Sequence, residues 1–303
     1  MNSTISSGFL SNIDGSFQPS ADNNFTNIEP IYTSATGPAC LYTAVRYGKR
    51  YVLKSLKPDF ALTPAYHTAL RKEFEIGIQL GHTHICQTIG WEDVEGVGQS
   101  IVLEYIDGDT LQTLLERRQL TTTLARSIFR QMADALDYMH SKQIVHRDIK
   151  PSNIMITHNG QQVKIIDFSL SDSDTFNVLK CPAGTTGYIA PEQLQRGATT
   201  SSAADVYSTG MVMKDMVAVT HDSGMLAAAR VCTRLHPDER PQRLTDVQLP
   251  SVYYRRWLTL LHTAALLALA LCVGALASRC GSPQPASSTE QSSGDGNTVV
   301  SHL

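Results

Sequence analysis

Between Tyr32 and Leu56 two stretches of strand-forming residues, CLYTAV and RYVLKSL, flank Tyr47-Gly48-Lys49, which predicts two strands joined by a tight turn. The period then changes. Residues 64 to 80 read as a helix, with Pro64 as first helical residue, where its missing N–H costs nothing. SIVLEYI, residues 100 to 106, is a short continuous apolar run and reads as a buried strand. A short helix is expected around Leu111 to Arg117 and a longer one from Thr122 to Ser141. In the longer one Ile128, Met132 and Leu136 recur every four residues and mark a core-facing stripe. Asn159-Gly160 between NIMIT and VKIIDF predicts a hairpin turn. After Asp205 the pattern is mainly helical. Strands precede helices, so the expected class is α+β with two lobes, β-rich over 30–106 and helical over 107–248.

Beyond a linker at 249–256 comes WLTLLHTAALLALALCVGALA, residues 257–277, which carries no formal charge. At about 1.5 Å per residue such a helix spans the roughly 30 Å hydrocarbon layer. Tyr253, Tyr254 and Trp257 supply interfacial rings, and the polar tail 278–303 cannot cover the apolar run. A single transmembrane helix is therefore expected. Arg240, Arg243, Arg255 and Arg256 precede it and only Arg279 follows, which places the globular part in the cytoplasm and the short tail outside. Ala270, Gly274 and Ser278 lie four apart, a spacing that lets two spans approach closely and points to a homodimer.

Composition changes this picture little. Of 303 residues 42% are hydrophobic and 17% charged, enough for a sizeable core, and the net charge of −3 offers no basic face for nucleic acid. Six scattered cysteines show no C-x-x-C or metal-ligand spacing, as expected for reduced thiols in a cytosolic body. Residues 1–29 are rich in Ser and Asn and lack the basic start and apolar core of a secretory signal; they read as a disordered arm.

The chemistry centres on His146-Arg147-Asp148-Ile149-Lys150-Pro151-Ser152-Asn153, which matches H-R-D-x-K-x-x-N. Other motifs arrive in order around it. Lys54 ends YVLK, Glu73 lies in the following helix, and HTHI starts at His82. Asp167-Phe168 follows a hairpin strand, GTTGYIAPE ends in Ala190-Pro191-Glu192, Asp205 opens DVYSTG, and Arg240 sits in HPDERP. Over roughly residues 30 to 245 the chain resembles the eukaryotic-type (Hanks-type) serine/threonine protein kinases, and its small size with a C-terminal span leans toward bacterial members.

That resemblance implies a bilobal protein-kinase fold, ATP with Mg²⁺ or Mn²⁺, and protein substrates. It implies that Lys54, held by Glu73, meets the α- and β-phosphates, and that Asn153 and Asp167 bind the metal. Asp148 would accept or orient the substrate proton, Lys150 would stabilise the phosphate in flight, and Thr185 would bond both. Leu41 and Val52 would roof the adenine over Met155, with Leu103 as gatekeeper and the backbones of Glu104 and Ile106 bonding the purine. Glu192 and Arg240 would form a buried ion pair, and Asp205 would anchor the loop that holds His146. Arg147 would take up a phosphate placed on the activation segment, for which Ser171, Ser173 and Thr175 are candidate phosphosites. Elementary chemistry agrees: phosphoryl transfer needs cations on the triphosphate and an aimed hydroxyl, and hard Mg²⁺ prefers a few oxygen ligands.

Four departures matter. Ser34, Thr36 and Ala39 stand at the glycines of the family's phosphate loop, leaving only Gly37 before Pro38, so ATP affinity or turnover should suffer. Ser169 replaces the glycine after Asp167-Phe168 and should restrict any swing that needs φ > 0. Gly77, one turn after Glu73, replaces a large apolar residue and should leave a packing gap. Only 35 residues separate Asp205 from Arg240, so the αG region should be reduced. The eroded loop and Ser169 make a pseudokinase scaffold the alternative to an active, autophosphorylating kinase.

Overall fold

Alternation places Leu41, Thr43, Val52 and Lys54 on one face of an antiparallel sheet, because directly paired residues share a face and Leu41 pairs with Lys54, Thr43 with Val52. The computed structural model describes residues 24–34, 37–173, 185–194, 201–250 and 260–273. The chain divides into two units, Met1–Pro250 and Ser251–Leu303. The first unit opens with β1 (Thr26–Thr33), β2 (Ala39–Arg46), β3 (Lys49–Leu56), β4 (Thr88–Val94) and β5 (Gly98–Glu104), ordered β1-β2-β3-β5-β4. Tyr47 and Gly48 both have positive φ, 53° and 72°, as a tight primed turn between β2 and β3 requires.

Helices α1 (Pro58–Ala61) and α2 (Pro64–Gly77) connect β3 to β4. Leu70 of α2 packs on Leu56 and Ile101, which lie on the Lys54 face of the sheet. Leu70, Glu73, Ile76 and Gly77 form the buried stripe of α2 at helical spacing, so seating the apolar residues carries Glu73 in with them. The opposite sheet face buries Ala44, Leu53 and Val102 beneath Phe25, Ile28 and Tyr51. This corrects the expected extent of the disordered arm. Residues 26–29 are strand, because Phe25 stands edge-on to Tyr51 at 5.7 Å and the Arg46 guanidinium lies 4.1 Å from the Phe25 centroid.

The second lobe comprises β6 (Gly108–Thr110), α3 (Leu111–Glu116), α4 (Thr122–Ser141), β7 (Ile144–Val145), β8 (Ile154–Thr157), β9 (Val163–Ile165), β10 (Asp172–Ser173), α5 (Ser202–Thr220) and α6 (Ser223–Cys232). Strands β6, β8 and β9 form one small sheet, and β7 pairs with β10. The Thr121 hydroxyl caps α4 by accepting from Leu124 N–H at 3.2 Å. Ile128, Met132 and Leu136 are fully buried on its inner stripe. The loop 146–153 leaves β7, closes in a 3₁₀ turn at Pro151–Asn153 and enters β8, so both of its ends are anchored.

Helix α5 ends at His221, in the left-handed region at φ 54°, and Asp222 caps α6 by accepting from Gly224 and Met225 N–H at 2.9 and 3.2 Å. No helix fits between, so the reduced αG region is a two-residue joint. Arg126 braces it with two bonds to Asp222, 2.5 and 2.8 Å, and one to the Pro250 carbonyl, 2.8 Å.

In the second unit residues 260–273 are helical, with Leu260, Leu261, Leu266, Leu267, Leu269, Leu271 and Val273 exposed. Among the described residues no helix is long and apolar enough to cross a membrane. The flanks of the expected span, 257–259 and 274–277, lie outside the described residues.

Candidate active site

Lys54 Nζ lies 2.6 Å from Glu73 Oε1 and 2.8 Å from Asp167 Oδ1. Burial alone would lower the Lys54 pKa, but the Asp167 and Glu73 carboxylates hold it well above the ordinary lysine value. Burial would raise Asp167; Lys54 and the bonds from Ser169 hold it well below the usual carboxylate range. Burial lifts Glu73 above its ordinary value against the pull of Lys54. A permanent cation and an ionised Asp167 therefore face the cleft.

The loop 146–153 brings the remaining motif residues together. Asp148 Oδ2 accepts from Lys150 Nζ at 2.6 Å and Asn153 Nδ2 at 3.0 Å, and Asp148 Oδ1 accepts from Thr185 Oγ1 at 2.9 Å. Lys150 Nζ also donates to Thr185 Oγ1 at 2.7 Å. Asn153 uses its Nδ2 on Asp148, which leaves its Oδ1 as an acceptor for a cation. Asn153 and Asp167 offer hard oxygens, the donor set suited to Mg²⁺ or Mn²⁺. Among the described residues no group of three or more His, Cys, Asp or Glu side chains could hold a metal ion. An ion here would need phosphate oxygens to complete its shell.

Asp205 sits beneath the loop, fully buried, accepting from His146 N–H at 2.9 Å, Arg147 N–H at 2.8 Å and His140 Nε2 at 2.8 Å. His140, in the last turn of α4, was not identified from sequence; a histidine there carries no motif of its own. The His146 ring meets Phe168 edge-on at 5.6 Å. Arg240 bonds Glu192 bidentately at 2.6 and 2.8 Å and fixes the end of the GTTGYIAPE segment.

Leu41, Val52, Leu103 and Met155 are half-buried, and Met155 alternates with the buried Ile154 and Ile156. Glu104 N–H is spent on the Gln87 carbonyl at 3.0 Å, so the Glu104 carbonyl remains for a purine, whereas Ile106 N–H has no hydrogen-bond acceptor among the described residues. The Glu104 carboxylate also accepts from Lys164 Nζ at 2.7 Å, a tie with no sequence signature.

Positive φ falls on Asp167 (67°) and Arg147 (68°), and Ser169 carries none, so Ser169 is unstrained in this arrangement. Its N–H donates to Asp167 Oδ1 at 3.3 Å. Aspartate tolerates the left-handed region because its short polar side chain can bond locally. The gap expected at Gly77 is filled by Thr88 from β4. Ser171 is buried, with its hydroxyl donating to the His146 carbonyl at 3.3 Å, and is no accessible phosphosite here. Ser173 pairs with Ile144 in the β10–β7 ladder. Thr175 and Thr36 lie outside the described residues. Ser34 Oγ accepts from Gly37 N–H at 2.8 Å.

A two-lobed fold with a lysine held between carboxylates, above a loop presenting Asp, Lys and Asn, defines a phosphate-handling cleft. The family model for the protein kinase domain matches residues 34–225, and the chain belongs to that family, which uses ATP with Mg²⁺ or Mn²⁺. It is 35% identical over 194 residues to a "Probable serine/threonine-protein kinase" of Streptomyces coelicolor, covering 60% of this chain and 28% of that protein. It is 33% identical over 229 residues to the serine/threonine-protein kinase PknA of Mycobacterium tuberculosis, covering 73% and 52%. Mitogen-activated protein kinase kinase 7 of Arabidopsis thaliana is 31% identical over 200 residues, covering 63% and 64%. The chain thus spans 28% to 64% of the length of these relatives.

Proposed function

We propose that the chain transfers the γ-phosphate of ATP to serine and threonine hydroxyls of proteins, itself included, and that it does so tethered to a membrane. The observation that carries the transfer reading is the Asp148 carboxylate bonded by Lys150 and Thr185 in a fold where Lys54 is fixed between Glu73 and Asp167. Lys54 would contact the α- and β-phosphates. Asn153 and Asp167 would hold the divalent ion, which when bound neutralises phosphate charge. Thr185 and Lys150 fix the carboxylate that orients the incoming hydroxyl, and the Lys150 ammonium stands where negative charge moves during transfer. The Thr185 bridge and the similarity to bacterial serine/threonine-protein kinases both favour serine/threonine over tyrosine. Ser169 keeps ordinary φ beside an Asp167 that is placed on Lys54, so the substitution leaves the metal-binding carboxylate in position, which favours activity over a scaffold. Purified chain with Mg²⁺, labelled ATP and an added protein substrate should label both itself and the substrate, and Asp148→Asn should label neither. No label with wild type, or equal label with both, would remove the reading.

Tethering rests on the uncharged run 257–277, the exposed leucines of the helix within it, and the arginine bias before it. Paired small residues at Ala270, Gly274 and Ser278 would let two spans bring two kinase units together. Expressed with a C-terminal tag, the protein should stay in the membrane pellet through alkaline carbonate, and only the tag should be cut by protease added outside intact cells. Release into the supernatant would refute the anchor; a tag protected in intact cells would refute the orientation.

A further inference from the structure

From Leu244 to Pro250 the chain lies along α4 as a strap fastened at both ends. At one end Asp137 accepts from Leu244 N–H at 2.9 Å and from the N–H and hydroxyl of Thr245 at 3.1 and 2.6 Å. At the other, Arg126 donates to the Pro250 carbonyl at 2.8 Å while paired with the buried Asp222. Gly224 permits that approach, because a Cβ there would stand 2.6 Å from the Pro250 oxygen. Positions 126, 130, 133 and 137 recur at helical spacing on one side of α4, and at about 1.5 Å per residue the two clamps are about 16 Å apart. Between them strap and helix leave a hollow of about 250 Å³. Its lining passes from buried Phe129 and Ala133, through half-buried Val247 and Leu249, to exposed Arg130 and Gln248. No acidic side chain lines it, although the whole chain carries a net charge of −3. Asp137 and Asp222, which flank it, are spent on the clamps, whereas Arg130 pairs with no acid among the described residues.

We propose that this hollow is a docking site for the headgroup of an acidic phospholipid, with Arg130 on the phosphate, the Gln248 amide on the ester or hydroxyl oxygens, and the carbon part against Val247 and Leu249. Charge and the path of the chain select that occupant. An unpaired guanidinium beside an apolar base matches a singly charged phosphodiester on a short carbon group. The Arg126 clamp fixes Pro250 beside the hollow, and six residues, 251–256, then precede the apolar run 257–277. A linker of that length reaches at most about 25 Å, so in a tethered chain the hollow stays near the bilayer surface, where anionic headgroups attract arginine. The inference rests on the tethered reading and adds to it a lipid contact of the second lobe.

The test compares the full chain in lipid nanodiscs of phosphatidylcholine alone and in nanodiscs that are roughly one-third phosphatidylglycerol. Phosphatidylglycerol should slow hydrogen exchange of amides 245–249 by about fivefold or more in wild type. Arg130→Gln and Gln248→Glu should each lose that protection; both positions are exposed, so neither change disturbs the core. Arg230→Gln, at an exposed arginine that does not line the hollow, should keep it. No slowing in wild type, or slowing that survives Arg130→Gln, would overturn the proposal. An equal loss in Arg230→Gln would show diffuse charge attraction and overturn it as well. Protection of the same amides by soluble glycerol phosphate in pure phosphatidylcholine would assign the hollow to a soluble ester and overturn the lipid. If alkaline carbonate strips the chain from membranes, the tether fails by itself. Flotation with vesicles of the same two compositions then decides the docking site: it stands if wild type floats only with phosphatidylglycerol and Arg130→Gln does not, and falls otherwise.

Discussion

Lys54→Met should abolish phosphate transfer and should also weaken the fold. The loss of transfer follows from removing the cation that would meet the α- and β-phosphates, an electrostatic contribution of about 3 kcal/mol or more, hence at least a hundredfold in rate. The effect on stability follows from the surroundings. The Lys54 side chain is only 9% exposed and touches two carboxylates, so it is no solvated surface cation. Methionine matches its length and leaves Glu73, 7% exposed, without a counter-charge. Breaking a buried pair by removing one partner costs about 3–5 kcal/mol when both groups are dry, and Asp167, one-third exposed, keeps the cost here toward the lower end. Denaturant unfolding and label transfer measure the two effects separately. Adding Glu73→Gln to Lys54→Met should recover most of the stability and none of the activity. A single variant as stable as wild type would show that the pair is solvated in solution.

Asp205→Asn should destabilise the second lobe and misplace the loop that carries Asp148. The carboxylate accepts from the amides of His146 and Arg147 and from His140, and it is fully buried. Asparagine keeps one acceptor oxygen and turns an NH₂ group toward donors, and each buried donor left unmet costs about 1–3 kcal/mol. The pH dependence has a definite sign. Burial works to raise the Asp205 pKa, but His140, the charge of His146 and its backbone N–H together hold it below the ordinary value. A depressed folded-state pKa contributes stability above the unfolded value of about 3.9, and that contribution is lost as pH falls through the folded value. The stability gap between wild type and Asp205→Asn should therefore be flat from neutrality to about pH 5 and close below about pH 4. Urea unfolding at a series of pH values measures it. A gap that widens on acidification would mean that the carboxylate is not stabilised in its ionised form.

Much of the candidate site was legible from order and spacing. His146 to Asn153 lie within one short loop, so their neighbourhood needs little long-range folding, and α4 occupies Thr122–Ser141, where its four-residue stripe predicted it. Other features came from contacts that no motif encodes. Thr88 in the Gly77 notch, His140 beneath the loop and the Gln87–Glu104–Lys164 tie each join segments that pattern analysis treats separately. Ser171 looked like one hydroxyl among several in a polar loop; only packing against the His146 carbonyl shows it inside.

By itself the sequence singled out the candidate residues for the chemistry and the order in which they come, because charge, hydrogen-bonding capacity and local periodicity are properties of side chains and short spacings. It also pointed to a reduced αG region, since the chain between Asp205 and Arg240 is short, while the two-residue length of the α5–α6 joint came from the structure. The tertiary structure alone decided how those residues meet. Lys54, Glu73 and Asp167 come from a strand, a helix and a loop, and they converge because the apolar stripe of α2 must bury itself on the Lys54 face of the sheet. It likewise decided that the left-handed backbone falls on Asp167 and not on Ser169, and that the glycine notch is occupied. Close packing couples the shape at one position to residues distant in sequence, and that coupling is absent from any local pattern.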